Sequence, residues 1–385
     1  MALSPSETRR YSRHLSLAEI GPAGQERLRS ARVLIVGAGG LGSPAALYLA
    51  AAGIGTLGLL DFDRVDDSNL QRQVLFDTAS VGSPKAHSAR ARLLGLNPGL
   101  RIIAHEAELR AANVQALFAD YELIVDGSDR IATHYLVNDA CVLFRKALVT
   151  AAVYRFEGTI MSYLPDRGPC YRCLFPRIDE TSAPSCAEVG VLGVLPGVLG
   201  TLAATEAVKL LLNLGEPLIG RLLTYDALEL RFQELRFVRR RDCAVCGEHP
   251  SITVPSDPKG FCSSEELAAV RSVEASELTR EISGRNPPLQ LIDVREPYEF
   301  ALGHLPGAIN LPIGRIELED VTLSNPGTVV FLCRSGARSA RAAVLAARLG
   351  FEGTRSLAGG LLAYREQIDR TLYVADAQSS KGKPT

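Results

Sequence analysis

The chain has 385 residues and a formal net charge of −1, from 42 basic and 43 acidic side chains. Its length allows two or three domains, and the charge balance gives no electrostatic case for a nucleic-acid partner or a membrane surface. Apolar residues make up 46% of the chain, which supplies a normal buried core and argues against wholesale disorder.

The N-terminal segment is polar and lacks the apolar centre that a secretory signal peptide needs. It carries Arg9, Arg10 and Arg13, and we expect a cytoplasmic protein. Two later apolar stretches, residues 41–62 and 189–214, have the length of a membrane span. Because glycines, prolines or charged residues interrupt both, we interpret them as core elements of an α/β sheet.

Residues 30–150 alternate short apolar runs with helical patterns. The runs predict strands at 32–36, 56–61, 101–105, 123–126 and 147–151. This alternation is the βαβ rhythm of a mainly parallel sheet with helices on both faces, so we expect a Rossmann-like α/β fold. Further strands are predicted within residues 153–164 and 218–238.

The best linker candidate is SITVPSDPKG at 251–260, which has two prolines, a glycine and little apolar content. A second, smaller α/β pattern follows, with predicted helices at 275–282 and 340–349 and predicted strands at 289–294 and 328–333. We therefore predict domains at 1–250 and 268–377, a linker at 251–267 and a polar tail at 378–385.

A glycine-rich turn, Gly37-x-Gly39-Gly40-x-Gly42, follows the first predicted strand and opens a helix. Glycines let a backbone approach phosphate closely, and the helix N-terminus offers free N–H groups. Asp61, about twenty positions further on, is suited to a ribose hydroxyl. The pattern alone fits NAD, FAD or ATP, or a tight turn without a ligand.

The charged residues after this turn favour ATP. Asp63 joins Asp61 as a candidate for the nucleotide site, and the cations Arg72 and Lys85 lie within one βα unit. A triphosphate needs such cations more than the two phosphates of a dinucleotide do. For Lys85 taken alone, an ordinary solvated charge is the favoured interpretation.

Two aspartates, Asp126 and Asp129, lie at the carboxyl end of the fourth predicted strand. Open parallel sheets bind their ligands at that edge. Mg²⁺ typically takes one or two carboxylates together with phosphate oxygens, so one aspartate could hold magnesium. The other could cap the helix that is predicted to begin near Ile131.

Four of the eight cysteines form two pairs, Cys170-x-x-Cys173 and Cys243-x-x-Cys246. Four thiolates fill the tetrahedral shell of Zn²⁺ and leave no open position, so this spacing predicts a structural zinc site. The alternatives are two independent redox motifs or disulfides. A lone cysteine, Cys186, could be buried and inert, or it could attack an activated acyl group or resolve a mixed disulfide.

Near the C-terminus, Cys333 ends an apolar strand and begins a loop that opens a helix. We call residues 333–338 the sulfur loop: Cys333, Arg334, Ser335, Gly336, Ala337 and Arg338. Backbone N–H groups, the helix dipole and two arginines favour an anionic sulfur there. Because phosphatases use a Cys-x-x-x-x-x-Arg loop, which is one residue longer, we expect a sulfane sulfur rather than a phosphate.

Between Arg10 and Gly247, the motifs resemble those of the adenylating enzymes MoeB and ThiF, relatives of the ubiquitin-activating enzymes. Beyond RYSR and the glycine turn, the matching motifs are LLDFD, SNLQRQ, GSPK, PCYRC, SCAEVGV and CAVCG. The resemblance implies that ATP and Mg²⁺ adenylate the C-terminal glycine of a ubiquitin-like sulfur-carrier protein ending in Gly-Gly. It also implies a zinc at the four cysteines.

The resemblance further implies individual roles. The nucleotide residues it assigns are Gly39 in the loop, Asp61 at the ribose, and Asn69, Arg72 and Lys85 at the phosphates. It implies that Asp129 binds the metal and takes part in catalysis, and it places Cys186 on a mobile loop near the adenylate. Arg13 resembles an arginine that reaches the ATP of a partner subunit, which implies a homodimer. One departure is Arg130, where relatives often have asparagine.

Upstream of the sulfur loop, Asp293-Val-Arg295 and Gly303-His304-Leu-Pro-Gly307 resemble the rhodanese signature. Rhodaneses carry a persulfide on the loop cysteine, so the resemblance implies a sulfurtransferase. We interpret Asp293 and Arg295 as a supporting network and His304 as a turn residue.

Together the two parts resemble the MoeZ-type adenylyltransferase/sulfurtransferases. That resemblance implies that Cys333 takes sulfur from a donor, such as a cysteine desulfurase or thiosulfate, and passes it to the adenylated carrier. The carrier could serve molybdopterin, thiamine, cysteine or secondary-metabolite synthesis. Two alternatives stay open: a rhodanese domain that only docks a partner, and an NAD-dependent oxidoreductase.

Overall fold

The structure, a computed structural model, describes residues 3–176, 190–257, 264–284, 289–295, 297–317, 329–351, 353–372 and 374. The described residues up to 257 form one compact unit, and those from 264 onward form a second. Cys186 and the predicted tail at 378–385 lie outside the described residues. The predicted linker at 251–267 and the predicted domain boundaries stay predictions.

The described part of the first unit contains a sheet of eight strands in the order β3-β2-β1-β4-β5-β6-β7-β8. The strands are β1 Arg32–Val36, β2 Thr56–Leu60, β3 Arg101–His105, β4 Leu123–Asp126, β5 Ala147–Tyr154, β6 Glu157–Tyr163, β7 Arg221–Asp226 and β8 Arg231–Arg236. The strands from β3 through β5 pair in parallel, and those from β5 through β8 pair antiparallel. The predicted mainly parallel α/β fold is confirmed.

Helices cover both faces of this sheet. They are α1 Pro5–Arg10, α2 Ser12–Leu15, α3 Gly21–Ser30, α4 Gly42–Ala52, α5 Lys85–Leu96, α6 Val114–Phe118, α7 Ile131–Leu143, α8 Tyr171–Leu174 and α9 Leu195–Leu212. In β1, Val33 and Ile35 enter one core, whereas Leu34 and Val36 enter the other. Because a strand presents alternate side chains to opposite faces, burial on both faces requires the continuous apolar run seen in the sequence.

Helix α9 is long and apolar enough to cross a membrane by length and composition alone, and half of it is buried inside the unit. It packs against α4, β5 and β6. Its buried Glu206 accepts hydrogen bonds from Ser162 Oγ at 2.8 Å and from the Leu218 N–H at 2.7 Å. A buried carboxylate with two such donors fits a core helix of an α/β unit.

The described part of the second unit contains a parallel sheet of five strands in the order β11-β10-β12-β13-β9. Its elements are α10 Ser264–Ala268, β9 Arg271–Val273, α11 Ala275–Gly284, β10 Gln290–Asp293, α12 Pro297–Leu302, β11 Ile309–Asn310, α13 Ile313–Glu317, β12 Val329–Leu332, α14 Ala337–Arg348, β13 Arg355–Leu357 and α15 Gly360–Gln367. Two apolar cores lie on opposite faces of the sheet.

The helix after the sulfur loop begins earlier than the sequence predicts. It was expected at 340–349, but α14 begins at Ala337 with Gly336 as its N-cap residue. Gly336 has a φ of +95°, a left-handed conformation that glycine adopts without a side-chain penalty. The turn between Cys333 and the helix is therefore tighter than predicted, and Arg338 lies in the first helical turn.

Candidate active sites and metal centre

The glycine loop, residues 37–42, joins β1 to α4 in a turn that leaves no room for side chains at its ends. Gly37 has a φ of +83°, and a Cβ there would lie 3.0 Å from the Gly127 carbonyl oxygen. A Cβ on Gly42 would overlap the carbonyl oxygen of Gly37. Two of the four glycines in this loop, Gly37 and Gly42, are thus required by backbone packing, which brings the N-terminus of α4 up to the carboxyl edge of the sheet.

Asp61 is fastened to this loop at the carboxyl end of β2. Its Oδ2 accepts the Ala38 N–H at 2.8 Å, and its Oδ1 accepts the Asp63 N–H at 2.9 Å. Burial raises the pKa of Asp61, and the nearby Lys85 ammonium opposes that rise. The carboxylate thus lies beside the glycine loop at the carboxyl edge of the sheet, and its predicted contact with a ribose hydroxyl stays a prediction.

Lys85 is buried rather than solvated, so the ordinary surface-charge interpretation is wrong. Its side chain is 6% exposed, and its Nζ lies 2.9 Å from Asp63 Oδ2. Its own N–H donates to the Asp63 carbonyl at 2.9 Å. A buried ammonium needs a compensating charge, and here it stands at the sheet edge beside two carboxylates, Asp61 and Asp63.

Arg72 lies against the glycine loop from the other side. Its Nη1 donates to the Ser68 carbonyl at 3.1 Å, and a Cβ on Gly40 would lie 3.7 Å from its Cγ. Asn69 ends a short 3₁₀ turn, Asp67–Asn69, and its carbonyl accepts the N–H of Arg72 at 3.1 Å. The structure thus brings Arg72 to the loop and places Asn69 in the turn before it.

Gln73 is a candidate that sequence reasoning missed. Its side chain is 4% exposed, and its Nε2 would lie 3.6 Å from a Cβ on Gly39. Its Oε1 has no hydrogen-bond partner among the described residues. A buried amide oxygen without a partner is costly. The signal was present in the SNLQRQ motif, whose last residue is Gln73.

The two aspartates at the carboxyl end of β4, Asp126 and Asp129, have different environments. Asp126 is buried and accepts hydrogen bonds from the Ser128 N–H at 3.1 Å, Ser128 Oγ at 2.7 Å and His134 Nδ1 at 2.6 Å. Asp129 is exposed, and its carboxylate has no hydrogen bond or ion pair within the described part of the chain. Asp129 is therefore the better candidate for a metal.

Neither aspartate caps α7, contrary to the alternative drawn from the sequence. The N-cap residue of α7 is Arg130, which makes no side-chain cap bond. Arg130 Nη1 instead donates to Glu108 Oε1 at 2.8 Å, and its guanidinium lies 5.8 Å from the centre of the Phe62 ring. The residue that departs from the resembling family thus connects the segments after β2, β3 and β4.

Arg13, expected to serve a partner subunit, is exposed on α2. It makes no hydrogen bond or ion pair with any described residue, and its role toward a partner subunit stays a prediction.

The four paired cysteines converge on one buried point, which we call the cysteine cluster: Cys170, Cys173, Cys243 and Cys246. Their Sγ atoms lie within 4.8 Å of one another, with 3.6 Å between Cys170 and Cys243 and 3.3 Å between Cys173 and Cys246. A zinc tetrahedron with bonds of about 2.3 Å has sulfur separations of about 3.8 Å. The cluster is compatible with zinc, and its thiols are free rather than paired as disulfides.

In the second unit, Cys333 is 1% exposed at the carboxyl end of β12. Its Sγ accepts the Gly336 N–H at 3.1 Å and lies 3.4 Å from Ser339 Oγ. An N–H directed at sulfur from the start of a helix stabilises the anionic form over the thiol. Cys333 therefore lies with its sulfur against a backbone N–H at the start of α14, and its activation stays a prediction.

Arg338 is paired with a carboxylate, whereas the sequence predicts that its positive charge favours an anionic sulfur. Its Nη1 and Nη2 donate to Glu299 at 2.6 and 2.9 Å. Such a bidentate pair, with both side chains about 10% exposed, largely offsets the charge of the arginine. The contribution of Arg338 to the sulfur loop stays a prediction.

A second glycine pair supports the sulfur loop, and sequence reasoning missed it. The N–H groups of Leu361 and Leu362 donate to the carbonyls of Cys333 and Arg334 at 2.9 and 3.0 Å. A Cβ on Gly360 would lie 2.6 Å from both carbonyl oxygens. The Gly359-Gly360 pair before α15 was the available signal.

The rhodanese-like signature residues lie in buried or turn positions. Arg295 donates to Asp293 Oδ2 at 2.7 Å and to the Gly303 carbonyl at 2.7 Å. The His304 ring stacks on Phe300 with 3.8 Å between ring centres. These contacts fix the segment around β10 and leave the chemistry to the sulfur loop.

The first unit is an α/β unit with a glycine loop at the carboxyl edge of its sheet, and the second carries a buried cysteine at the start of a helix. Comparison with known proteins identifies their families. Residues 11–246 match the ThiF family, and residues 274–367 match the rhodanese-like domain. The chain therefore belongs to the ThiF family and carries a C-terminal rhodanese-like domain, which confirms the resemblance stated from the motifs. ATP is the nucleotide that this family implies, so NAD is not favoured.

Similar proteins share both parts. A probable adenylyltransferase/sulfurtransferase MoeZ of Mycobacterium tuberculosis is 43% identical, covering 97% of this chain and 97% of its own. An adenylyltransferase and sulfurtransferase MOCS3 of Aedes aegypti is 39% identical, with coverage of 95% and 89%. A sulfur carrier protein adenylyltransferase of Thermus thermophilus is 48% identical over 68% of this chain and 99% of its own.

Among solved structures, E. coli MccB superposes with a TM-score of 0.57 and 23% identity, covering 62% of this chain and 75% of that one. This likeness shows a shared fold. It adds to the sheet order and the glycine loop as support for the fold of the first unit.

Proposed function

We propose that this chain activates the C-terminal carboxylate of a ubiquitin-like sulfur-carrier protein with ATP and then replaces one carboxylate oxygen by sulfur. The observation that carries the proposal is the presence of two sites on one chain. One is a glycine loop with Asp61 and a buried Lys85, and the other is a buried Cys333 that accepts a backbone hydrogen bond. The first suits a polyphosphate, and the second suits a transferable sulfur.

In the first step, the carrier carboxylate attacks the α-phosphorus of ATP, which gives an acyl-adenylate and pyrophosphate. The residues that we assign to the nucleotide are Gly37, Gly39, Gly40, Gly42, Asp61, Asp63, Asn69, Arg72 and Lys85. Cations and backbone N–H groups hold the phosphates so that the carboxylate meets phosphorus in line. Asp129 would hold Mg²⁺, which when bound neutralises charge on the phosphates.

In the second step, a persulfide anion on Cys333 attacks the acyl carbon, AMP leaves, and an acyl disulfide forms. A second thiolate, which we assign to Cys186, attacks the Cys333 Sγ and releases the carrier thiocarboxylate. This leaves a disulfide between Cys186 and Cys333, which an external thiol reduces. The donor is a cysteine desulfurase or thiosulfate. Thiosulfate would lose sulfite as the Cys333 thiolate takes its outer sulfur.

Two further assignments complete the proposal. Exposed Arg13 reaches the ATP of a second copy of the chain, so the protein works as a homodimer. The reaction takes place in the cytoplasm, where thiols stay reduced. A rhodanese-like domain that only docks a partner is not favoured, because the relatives that cover nearly the whole chain are named for both activities.

We expect the purified chain to convert a Gly-Gly-ended carrier to its thiocarboxylate when supplied with ATP, Mg²⁺, thiosulfate and a thiol reductant that reopens the Cys186–Cys333 disulfide. Activation must precede sulfur transfer because a carboxylate has no good leaving group, whereas AMP is one. Intact-mass spectrometry would detect the exchange of one oxygen for one sulfur. A carrier lacking its final glycine serves as the control, and an unchanged mass of the intact carrier would contradict the proposal.

The cysteine cluster, we propose, binds a structural zinc that ties α8 to the segment after β8. Zinc, when bound, satisfies four thiolates and needs no other ligand. The chain already orients the site, since the Arg240 N–H donates to Cys173 Sγ at 3.4 Å and Arg239 donates to the Cys246 carbonyl. These contacts hold the two cysteine pairs together from the protein side.

Replacing Cys243 by serine should lower zinc content and reduce the midpoint of thermal unfolding by about 10 °C. Losing one ligand of a structural site costs a few kcal/mol, and each kcal/mol is worth roughly 2–4 °C in a unit of this size. Elemental analysis and a thermal scan would measure both. Cys141→Ala is the matched control: Cys141 is buried on α7 outside the cluster, and it should keep the metal. Full zinc in Cys243→Ser would contradict the assignment.

A further inference from the structure

A buried hydrogen-bonded pair, Asp126 and His134, lies next to the segment that presents Asp129. His134 Nδ1 lies 2.6 Å from Asp126 Oδ2, and Thr150 Oγ1 lies 3.2 Å from the same oxygen. Burial opposes charge on both groups, yet the neighbouring charge of each holds the pKa of Asp126 down and the pKa of His134 up. Both side chains are 5% exposed or less.

This pair fixes the conformation of the aspartate loop, which we define as residues 126–130. Both the N–H and the Oγ of Ser128 donate to Asp126 Oδ1, at 3.1 and 2.7 Å. His134 lies in the first turn of α7, so it bonds Asp126 from the helix that follows the loop. Asp129 lies between Ser128 and His134 in the chain. Its backbone is therefore held on either side, while its carboxylate stays exposed.

The same loop touches the glycine loop. The Gly127 N–H donates to the Val36 carbonyl at 2.9 Å. A Cβ on Gly127 would lie 2.9 Å from the Gly42 nitrogen, and a Cβ on Gly37 would lie 3.0 Å from the Gly127 oxygen. With contacts this close, a shift of Asp126 would move both Asp129 and the backbone that forms the phosphate site.

Helix α7 also connects this pair to the cysteine cluster. The Tyr171 ring lies 6.0 Å from the His134 ring, and the Tyr171 N–H donates to Asn138 Oδ1 at 2.8 Å. Arg172 makes a bidentate pair with Asp139, with both distances 2.7 Å. Tyr171 and Arg172 are the two residues between Cys170 and Cys173. The cysteine cluster and the aspartate loop are therefore both held by contacts with α7.

From these contacts we infer that His134 is a positioning residue for adenylation, which acts through Asp126 and Ser128 to hold Asp129 in place for the metal–nucleotide complex. The inference rests on the proposed role of Asp129. It assigns His134 a structural role and no proton transfer.

The test compares His134→Ala, which removes both the charge and the donor, with His134→Asn, which keeps an N–H donor near the position of Nδ1. We expect the half-saturating Mn²⁺ concentration, titrated by calorimetry with a non-hydrolysable ATP analogue, to rise about 100-fold in His134→Ala and about 10-fold in His134→Asn. A displacement of about 1 Å at a reacting group has a cost of this order. ATP–pyrophosphate exchange should lose kcat in the same order, with the KM for the carrier unchanged.

His105→Asn is the matched control, because His105 is a histidine of the same unit whose side chain bonds Tyr121, at 2.8 Å, and not the aspartate loop. It should leave Mn²⁺ binding and exchange at wild-type values. Wild-type Mn²⁺ affinity in a folded His134→Ala would overturn the inference. So would a His134→Ala effect that persists undiminished when Asp129 is already replaced by asparagine, because two residues acting through one group are not additive. If the wild-type chain binds the metal–nucleotide complex but never modifies a carrier, the proposed function fails while the metal titration still decides the role of His134.

Discussion

Replacing Cys333 by alanine should abolish carrier thiolation, by at least about 1,000-fold, while ATP–pyrophosphate exchange with the carrier stays at the wild-type rate. The side chain supplies the sulfur that carries the persulfide, and no neighbouring group can replace it. Ser339, whose Oγ lies 3.4 Å away, offers an oxygen that cannot hold a transferable sulfur. Intact-mass spectrometry of the carrier and exchange of labelled pyrophosphate would separate the two half-reactions.

Folding should survive this change because only one buried atom is lost and the loop backbone is held independently. The N–H groups of Leu361 and Leu362 still bind the loop carbonyls. Cys141→Ala is the control for removal of a buried thiol, since burial raises the pKa of Cys141 and leaves it unreactive. Thiolation that continues in a folded Cys333→Ala protein would show that the sulfur comes from elsewhere. Loss of pyrophosphate exchange would show that Cys333 is needed for adenylation, which contradicts its assignment to sulfur transfer alone.

Where burial is continuous, the sequence was sufficient to predict the fold. The predicted strands 32–36, 101–105 and 123–126 coincide with the observed β1, β3 and β4. Strands β1 and β4 lie inside a parallel sheet with both faces covered, so nearly every position must be apolar. Such a run predicts a strand from the local sequence alone. The glycine loop was predictable for a related reason, because adjacent backbone leaves no room for larger residues at its glycines.

Contacts between side chains that are distant in sequence could not be predicted. Arg338 binds Glu299, 39 positions away, and the sequence offered only its proximity to Cys333. Asp126 and Asp129 are both aspartates after one strand, and only the buried partner His134 separates an internal ion pair from an available carboxylate. Such choices depend on which elements pack together, so no local pattern encodes them.

The glycine loop leads to the second large effect: replacing Gly42 by alanine should remove ATP binding and destabilise the first unit by at least about 3 kcal/mol. The new methyl group would overlap the Gly37 carbonyl oxygen and press on the side chain of Ile35. Either β1 or the start of α4 must move, which opens the turn that brings backbone N–H groups to the phosphates. The loss of an ATP-induced thermal shift would report binding, and a denaturant titration would report stability.

The second unit provides an internal check, since sulfur loading of Cys333 from thiosulfate needs no residue of the glycine loop. Loading should stay within about twofold of wild type in Gly42→Ala, as measured by release of the loaded sulfur to cyanide. Gly95→Ala is the matched control: it is also a helical glycine of the first unit, but a Cβ there meets nothing within 4 Å. That change should leave ATP binding intact and stabilise the unit by about 0.5–1 kcal/mol, because alanine is the better helix former. If Gly42→Ala bound ATP as tightly as Gly95→Ala does, the close packing of Gly42 against Gly37 would have no part in nucleotide binding.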